Sequence, residues 1–318
     1  MNKKSYSIYS IFFISIFILS FVFIVYPVKA SNYKDTDTKK IEFPFDELLI
    51  NTWQEVEEGL SFNRISETIL IERENDAKLP INISFDVLRF DPDFFEFSVY
   101  GVTIDKTVKR SLYGWLRDYN LLAVINASMY LPDNISSIGY LKKKDKYSNS
   151  HIGKNLGAFF LANPYEKYKG KIPNVAIIYS NEPNFSRFIQ SNEKQKLTTI
   201  LDKYQVVVQN FQLLELTNND NHVWSGQRRH SIASLGEDAK GRILLMYASN
   251  PITINEFILA LRKSTQLNIK RAMYLEGGTE AAMLYQGQKT FLWQVNDNIK
   301  LFLKGIILLP NVIGIKRK

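Results

Sequence analysis

Cysteine is absent from this 318-residue chain, and histidine occurs only three times. The lack of cysteine excludes disulfide bonds, thiolate metal sites, a cysteine nucleophile and a lipid-modified N-terminal cysteine. The sequence also contains no Gly-x-x-x-x-Gly-Lys loop, no His-Glu-x-x-His motif and no Gly-x-Ser-x-Gly motif. These absences argue against the commonest nucleotide-binding, zinc-protease and esterase functions.

Charged residues are missing from residues 6–28, a run dominated by Ile, Phe, Val and Ser. Lys3 and Lys4 precede this run, as is typical of a signal peptide or an N-terminal membrane anchor. Pro27 would end a helix just before a possible cleavage site after Ala30. We therefore expect an extracytoplasmic protein, either secreted, periplasmic or tethered to the outer face of a membrane. Residues 6–28 would be its only contact with the membrane.

A strong excess of charge is missing as well. The first 30 residues contain three of the 40 Lys and Arg and none of the 32 Asp and Glu, which lowers the net charge from +8 to +5 for residues 31–318. The lysines are scattered, and the densest cluster, Lys142–Lys144, is typical of a solvated loop. This pattern does not indicate a nucleic-acid partner.

Residues 31–40 are polar and charged, and we interpret them as a tether between residues 1–30 and a single domain over residues 41–318. No periodic repeat occurs. Within the domain, short apolar runs alternate with a few helical patterns. The expected fold class is α+β, or mixed α/β, with a twisted mixed sheet and packed helices.

Two strands, Ile81–Phe90 and Phe94–Val102, flank Asp91-Pro92-Asp93, a turn sequence that suggests a hairpin. A helix over Thr107–Tyr119 then leads into an apolar strand at Leu121–Ile125. Further strands are predicted at Asn155–Leu161, Val175–Tyr179, Gln205–Leu213 and Arg242–Tyr247.

The clearest helix signal is the capping box Thr253-Ile254-Asn255-Glu256, which predicts a helix ending near Ser264. A strand over Arg271–Leu275 follows it, so this part of the chain suggests one parallel crossover. The predicted loop Thr217–His222 lies inside the domain.

One candidate site follows that last strand, where the sequence is Glu276-Gly277-Gly278-Thr279-Glu280. Paired glycines at a strand end permit unusual dihedral angles and a close approach of the backbone to a ligand. If a helix begins at Thr279, the two carboxylates flank its N-terminus, where a phosphate or carboxylate group can bind. A tight turn with an exposed glutamate is the alternative interpretation.

Two other segments carry candidate side chains. Arg228, Arg229 and His230 bring two guanidinium groups and an imidazole together just before an apolar strand, a set suited to anion recognition and proton transfer. A surface basic turn is the competing interpretation. Asn126 follows the strand at Leu121–Ile125, with Tyr130 close behind, and its amide can orient a sugar hydroxyl.

Taken together and in this order, three segments resemble the phosphodiester glycosidase domain family, also known as the uncovering-enzyme family. They are Asn126-Ala127-Ser128-Met129-Tyr130, Arg228-Arg229-His230-Ser231 and Tyr274-Leu275-Glu276-Gly277-Gly278-Thr279-Glu280-Ala281. Glu276 stands where the family usually has Asp, and Ala127 stands where it usually has Gly. The combination is similar to a bacterial subgroup that carries Arg-Arg-His-Ser and Glu-Gly-Gly together.

The resemblance implies hydrolysis of a sugar-1-phosphodiester at its glycosidic bond, in an envelope or exported glycan. Its substrate would be a glycan or a sugar phosphate. The candidate catalytic residues are Glu276, Glu280 and His230. The candidate substrate-binding residues are Asn126, Tyr130, Arg228, Arg229, Gly277, Gly278 and Thr279.

Two alternatives to this activity stay open at this point: a non-catalytic module that binds an anionic polysaccharide, and a phosphodiesterase that cuts the P–O bond. No cofactor is expected. A divalent metal is left open, because Asp220 and Asp238 offer oxygen ligands without a recognised coordination spacing.

Overall fold

A computed structural model describes residues 50–72, 78–182, 185–188, 196–214, 224, 228–286 and 307–318. All of them belong to one compact unit, Glu47–Lys318. The predicted N-terminal segment 1–30, the tether 31–40 and the loop Thr217–His222 lie outside the described residues. Within the described ranges, no helix combines the length and the apolar character needed to cross a membrane.

The secondary structure is dominated by strands, with a few short helices. The strands are β1 (Gln54–Glu57), β2 (Leu60–Glu72), β3 (Lys78–Phe90), β4 (Phe95–Gly101), β5 (Ala123–Asn126), β6 (Leu141–Lys143), β7 (Lys146–Asn149), β8 (Ala158–Pro164), β9 (Val175–Tyr179), β10 (Tyr204–Asn210), β11 (His230–Asp238), β12 (Ile243–Ile252), β13 (Ile269–Gly277), β14 (Met283–Tyr285) and β15 (Asn311–Arg317). The α-helices are α1 (Val102–Asp105), α2 (Leu112–Asp118), α3 (Leu197–Leu201) and α4 (Ile254–Lys263). Each predicted strand is present; Val175–Tyr179 has the predicted bounds, and the others have shifted ends. The protein is therefore an α+β protein rich in sheet.

The strands form three sheets. The six-stranded sheet has the order β1-β2-β3-β12-β11-β13, the five-stranded sheet β7-β6-β10-β8-β9 and the four-stranded sheet β14-β5-β15-β4. Every pair of these described strands is antiparallel. The prediction of one mixed sheet is therefore wrong.

The predicted hairpin between β3 and β4 is also wrong, although both strands and the turn between them are present. The backbone N–H of Phe94 donates to the carbonyl of Asp91 at 3.1 Å, as a tight turn requires. Both edges of β3 are occupied, by β2 and β12, so β4 pairs instead with β15 in another sheet. The turn at Asp91 thus carries the chain from one sheet to the next.

Helix α4 begins as its sequence predicts. The hydroxyl of Thr253 accepts the Glu256 N–H at 3.1 Å, and the Glu256 carboxylate accepts the Thr253 N–H at 2.8 Å. The helix joins β12 to β13, and both strands run antiparallel to β11, which lies between them. The predicted crossover therefore connects two strands of the same direction that are not neighbours.

Helix α2 is shorter than its predicted span because Ser111 caps it. The Ser111 hydroxyl accepts the Gly114 N–H at 3.1 Å, which starts the helix at Leu112. Trp115 is fully buried, and its indole N–H donates to the carbonyl of Leu309 at 3.0 Å. The helix leads into β5, as expected.

Two apolar clusters hold the sheets in position. One contains inward-facing side chains of all three sheets, including Phe97 and Phe160, whose ring centroids are 6.1 Å apart. The other lies between the six-stranded sheet and α4, where Phe85 and Phe257 meet edge to face at 5.2 Å. Each such buried ring stabilises the fold by about 2–3 kcal/mol, so the strand ends that carry the candidate side chains are built on a packed core.

Candidate active site

The candidate residues meet where β13 ends, β11 begins and β5 ends. Because β11 and β13 are antiparallel, Ile232 pairs with Gly277 and Ala233 pairs with Glu276. The pairing then skips Leu275, so that Ser234 faces Tyr274. The unpaired Leu275 forms a β-bulge. Bulges change the direction of neighbouring side chains and are frequent beside active sites.

Glu276 is the buried carboxyl group of this region, with 8% of its surface exposed. Its Oε1 accepts the N–H of Gly277 at 2.9 Å. Burial raises the pKa of Glu276 to about 7, the charge of Glu280 adds to that rise, and the Gly277 N–H opposes it. A carboxyl group with this pKa exchanges its proton near neutral pH, as a catalytic acid or base must.

Glu280 and Tyr130 lie beside this carboxyl group. The Thr279 hydroxyl donates to Oε2 of Glu280 at 2.9 Å. Burial raises the pKa of Tyr130 well above its ordinary value, and the charges of Glu280 and Glu276 and a hydrogen bond to Glu280 add to the effect. The structure therefore brings Tyr130 and both candidate carboxylates together, although about 150 residues separate them in sequence.

No α-helix begins at Thr279. Gly278–Glu280 forms a single 3₁₀ turn instead, and Gly278 has a φ of 76°, in the left-handed region that favours glycine. The hydroxyl of Ser231 donates to the Gly278 carbonyl at 2.5 Å and holds the turn against β11. The predicted anion site at a helix N-terminus is consequently wrong.

Gly277 is required by a close approach of side chains. A Cβ atom at this position would lie 2.0 Å from the Tyr274 hydroxyl and about 3 Å from the His230 ring. The rings of His230 and Tyr274 lie 6.4 Å apart. The backbone of Gly277 thus runs directly against an imidazole and a phenol, and both belong to the site.

Arg228 and Arg229 separate in the structure. The guanidinium of Arg229 donates to Oε1 of Glu256 at 2.5 Å and to the carbonyl of Pro251 at 3.2 Å, so it secures the start of α4. Arg228 is exposed and makes no hydrogen bond or ion pair with any described residue. Of these two arginines, Arg228 is the one whose guanidinium has no partner among the described residues and can contact a ligand.

Asn126 is buried, and both ends of its amide contact the backbone beyond the Glu276 turn. Its Nδ2 donates to the carbonyl of Glu280 at 3.0 Å, and its Oδ1 accepts the N–H of Ala282 at 2.7 Å. Its predicted role, to orient a sugar hydroxyl, stays a prediction. The contacts described here are those of a residue that positions Glu280.

Tyr274, Ser231 and Trp224 were not predicted as parts of the site. Tyr274 lies two residues before Glu276 on β13, but the bulge at Leu275 interrupts the strand alternation, so the strand period does not place the two side chains on one face. The ring of Trp224 lies 5.9 Å from that of Tyr274 and extends the aromatic wall. No local sequence signal singles out Tyr274, Trp224 or the Ser231 hydrogen bond as part of the site.

Among the residues that the structure describes, no three His, Asp or Glu side chains are grouped so as to hold a metal ion. Asp238, considered above as an oxygen ligand, accepts from the guanidinium of Arg242 at 2.7 Å and from backbone N–H groups. Asp220 lies outside the described residues.

The sequence profile of the phosphodiester glycosidase family matches residues 119–316, a range that contains every candidate residue. The chain belongs to the phosphodiester glycosidase family. No curated protein matches the chain in sequence.

Two solved structures resemble the fold of this phosphodiester glycosidase family member. The catalytic domain of zebrafish N-acetylglucosamine-1-phosphodiester alpha-N-acetylglucosaminidase, auto-inhibited by its pro-peptide, has a TM-score of 0.50 and 10% identity over 81% of this chain and 84% of its own. A hypothetical protein from Synechocystis has a TM-score of 0.53 and 13% identity over 82% of this chain and 62% of its own. At these identities the likeness establishes the fold alone.

Proposed function

We propose that the protein is an extracytoplasmic hydrolase that cleaves a sugar-1-phosphodiester at the bond between the anomeric carbon and the phosphate oxygen. Membership of the phosphodiester glycosidase family supports a hydrolase that acts on phosphodiester-linked sugars. The observation that carries the proposal is the buried Glu276, whose pKa of about 7 makes it a proton acceptor near neutral pH. Its substrate is a glycan or sugar phosphate in an envelope or exported polymer.

The leaving group determines what the site must supply. A phosphate monoester carries negative charge stably near neutral pH, because its second pKa is about 6. Its departure therefore needs little protonation, and the difficult part is the attack of water on an oxocarbenium-like carbon. Ionised Glu276 takes a proton from that water, the water oxygen bonds to the anomeric carbon, and the bonding electrons leave with the phosphate oxygen.

The remaining groups then have separate tasks. Arg228 has no partner among the described residues and is free to contact the phosphate. The Nδ1 of His230 faces the Ser231 carbonyl at 3.1 Å, so the imidazole donates to the phosphate through Nε2 when the ring is protonated. Glu280, hydrogen-bonded to Tyr130, supplies a second negative group for the developing positive charge on the sugar. Arg229 has no substrate-binding task in this scheme, since Glu256 occupies it.

The location outside the cytoplasm is part of the proposal. It is supported by Lys3, Lys4 and the uncharged residues 6–28. The segment delivers the protein to the compartment of exported glycans, whether it is later cleaved or retained.

The test is hydrolysis of alkyl N-acetylglucosamine-1-phosphate diesters, and of their glucose counterparts, in ¹⁸O-labelled water. Cleavage of the C–O bond puts the label on the released sugar, whereas a phosphodiesterase puts it on the phosphate. Glu276→Gln should abolish turnover, and Glu166→Gln, at a carboxylate that is 85% exposed, should not. Binding without release by the wild type would favour the non-catalytic module.

A further inference from the structure

Three tyrosines form a surface around a lysine and an aspartate on the five-stranded sheet. We name this tyrosine surface by its members, Tyr140, Tyr147, Tyr165, Lys142 and Asp202. Lys142 and Tyr147 are directly opposite each other on β6 and β7, so their side chains share one face. The rings of Tyr140 and Tyr147 meet edge to face at 5.9 Å.

The backbone brings the other two members to the same end of the sheet. The N–H of Tyr165 donates to the carbonyl of Lys203 at 2.9 Å, next to Asp202 in the chain. The charge of Asp202 acts on both Lys142 and Tyr140. The five side chains therefore form one cluster rather than a scatter of aromatic residues.

Lys142 is the unusual member. Only 4% of its surface is exposed, yet its ammonium group makes no hydrogen bond or ion pair with any described residue. Burial lowers the pKa of Lys142, and Asp202 partly opposes this. Lysines this buried are almost always paired. The ammonium of Lys142 is therefore a hydrogen-bond donor that can bind a ligand at the base of the tyrosine surface.

The chemistry of the cluster matches a saccharide. Lys142 only donates hydrogen bonds, Asp202 only accepts them, and phenols do both, which suits hydroxyl groups that are donors and acceptors at once. The exposed ring of Tyr147, at 43% exposure, offers flat apolar surface to a sugar ring, and the buried Tyr140 supports it from below. The carboxylate of Asp202 disfavours a strongly anionic ligand. We infer that the tyrosine surface is a second, non-catalytic binding site for a neutral glycan chain.

This site is separate from the candidate active site. Strand β10 spans the two regions: Asn210, at its end, donates to the carbonyl of Leu275 on β13, whereas Asp202 lies just before its start. A glycan held at the tyrosine surface therefore contacts different residues from one bound at Glu276. The inference holds whatever reaction occurs at Glu276.

The experiment measures binding of neutral tetrasaccharides of N-acetylglucosamine, glucose, mannose and galactose to the full chain carrying Glu276→Gln, by saturation-transfer NMR and calorimetry. The probes carry no phosphodiester, and the Glu276→Gln background excludes any turnover at the candidate active site during the measurement. We expect at least one tetrasaccharide to bind, with Lys142→Met and Tyr147→Ala each raising Kd at least fivefold and Tyr147→Phe raising it less. Lys144→Met and Tyr113→Ala, at an exposed lysine and an exposed tyrosine elsewhere, should leave Kd unchanged.

Two results would overturn the inference. One is that none of the four tetrasaccharides binds to the folded protein. The other is that binding survives both Lys142→Met and Tyr147→Ala, which would assign it to another surface. A loss of hydrolysis in Glu276→Gln alone bears on the proposed reaction and leaves the tyrosine surface untouched.

Discussion

Asn126 donates its side-chain N–H to the backbone carbonyl of Glu280 at 3.0 Å, although 154 residues separate the two in sequence. The same amide accepts the N–H of Ala282 at 2.7 Å. The end of β5 therefore holds the turn that carries Glu280. A buried amide with both ends bonded to backbone restrains that turn more tightly than apolar packing alone.

Asn126→Ala removes both bonds and leaves the partly buried carbonyl of Glu280 and N–H of Ala282 unpaired. We expect the free energy of unfolding to fall by about 2 kcal/mol and kcat to fall at least tenfold, because Glu280 loses its restraint. Asn51→Ala is the matched control, since Asn51 makes the same two-bond contact with the backbone of Ser66 on β2. Both kcat and Tm are measured for the two variants. An equal loss of kcat in both would contradict a positioning role for Asn126.

Gly277→Ala introduces a methyl group 2.0 Å from the Tyr274 hydroxyl. Such overpacking costs about 1–3 kcal/mol and displaces His230 or Tyr274, so we expect lower stability and at least tenfold lower activity. In the double variant Gly277→Ala/Tyr274→Phe the hydroxyl is gone, and part of the stability should return. Purely additive effects in this double-mutant cycle, measured by chemical denaturation, would contradict the contact.

The stability of the protein should depend on the protonation of Glu276. Its pKa is about 7 in the folded state and near 4.5 when unfolded, so the folded state binds more protons between these values. Stability therefore falls as pH rises through this window, by about 3 kcal/mol at most. Glu276→Gln should stabilise the protein at pH 8 and change it little at pH 4. Denaturation at the two pH values measures the difference, and an equal effect at both would refute it.

The rate of hydrolysis should rise with pH, whereas the stability falls, if Glu276 accepts a proton from water. The ionised carboxylate predominates above pH 7, so kcat/KM should rise with pH and reach half its maximum near 7. A pH–rate profile of the wild type tests this. A rate that instead falls as pH rises through 7 would make protonated Glu276 an acid and reverse its role.

Arg228→Ala should mainly affect substrate binding, whereas Arg229→Ala should mainly affect stability. Arg228 is free to contact a phosphate, so its loss should raise KM about tenfold without changing Tm. Arg229 pairs with Glu256 at the start of α4, so its loss should lower the free energy of unfolding by about 1 kcal/mol with a smaller change in KM. Steady-state kinetics and thermal unfolding of the two variants separate these outcomes. The assignment fails if Arg229→Ala gives the larger rise in KM.

Local signals in the sequence were sufficient for several elements of this protein. The capping box at Thr253 predicts the start of α4, because its two hydrogen bonds involve residues only three apart. Paired glycines after an apolar strand indicate the turn at Gly277, and their resemblance to a family motif points to the same segment. These features depend on interactions between residues that are close in sequence, so a short segment is enough to predict them.

Pairing between distant strands was decided only by the tertiary structure. The turn at Asp91 is compatible with a β4 that returns to β3 and with one that crosses to β15, and the second occurs because β2 and β12 occupy both edges of β3. The pKa of Glu276 likewise follows from its burial, which only the folded chain produces. The two arginines are adjacent in sequence, yet the position of Glu256 engages Arg229 and leaves Arg228 available. Residue types and local turns were thus determined by the sequence itself, whereas partners and protonation depended on which distant side chains the fold brought within a few ångströms.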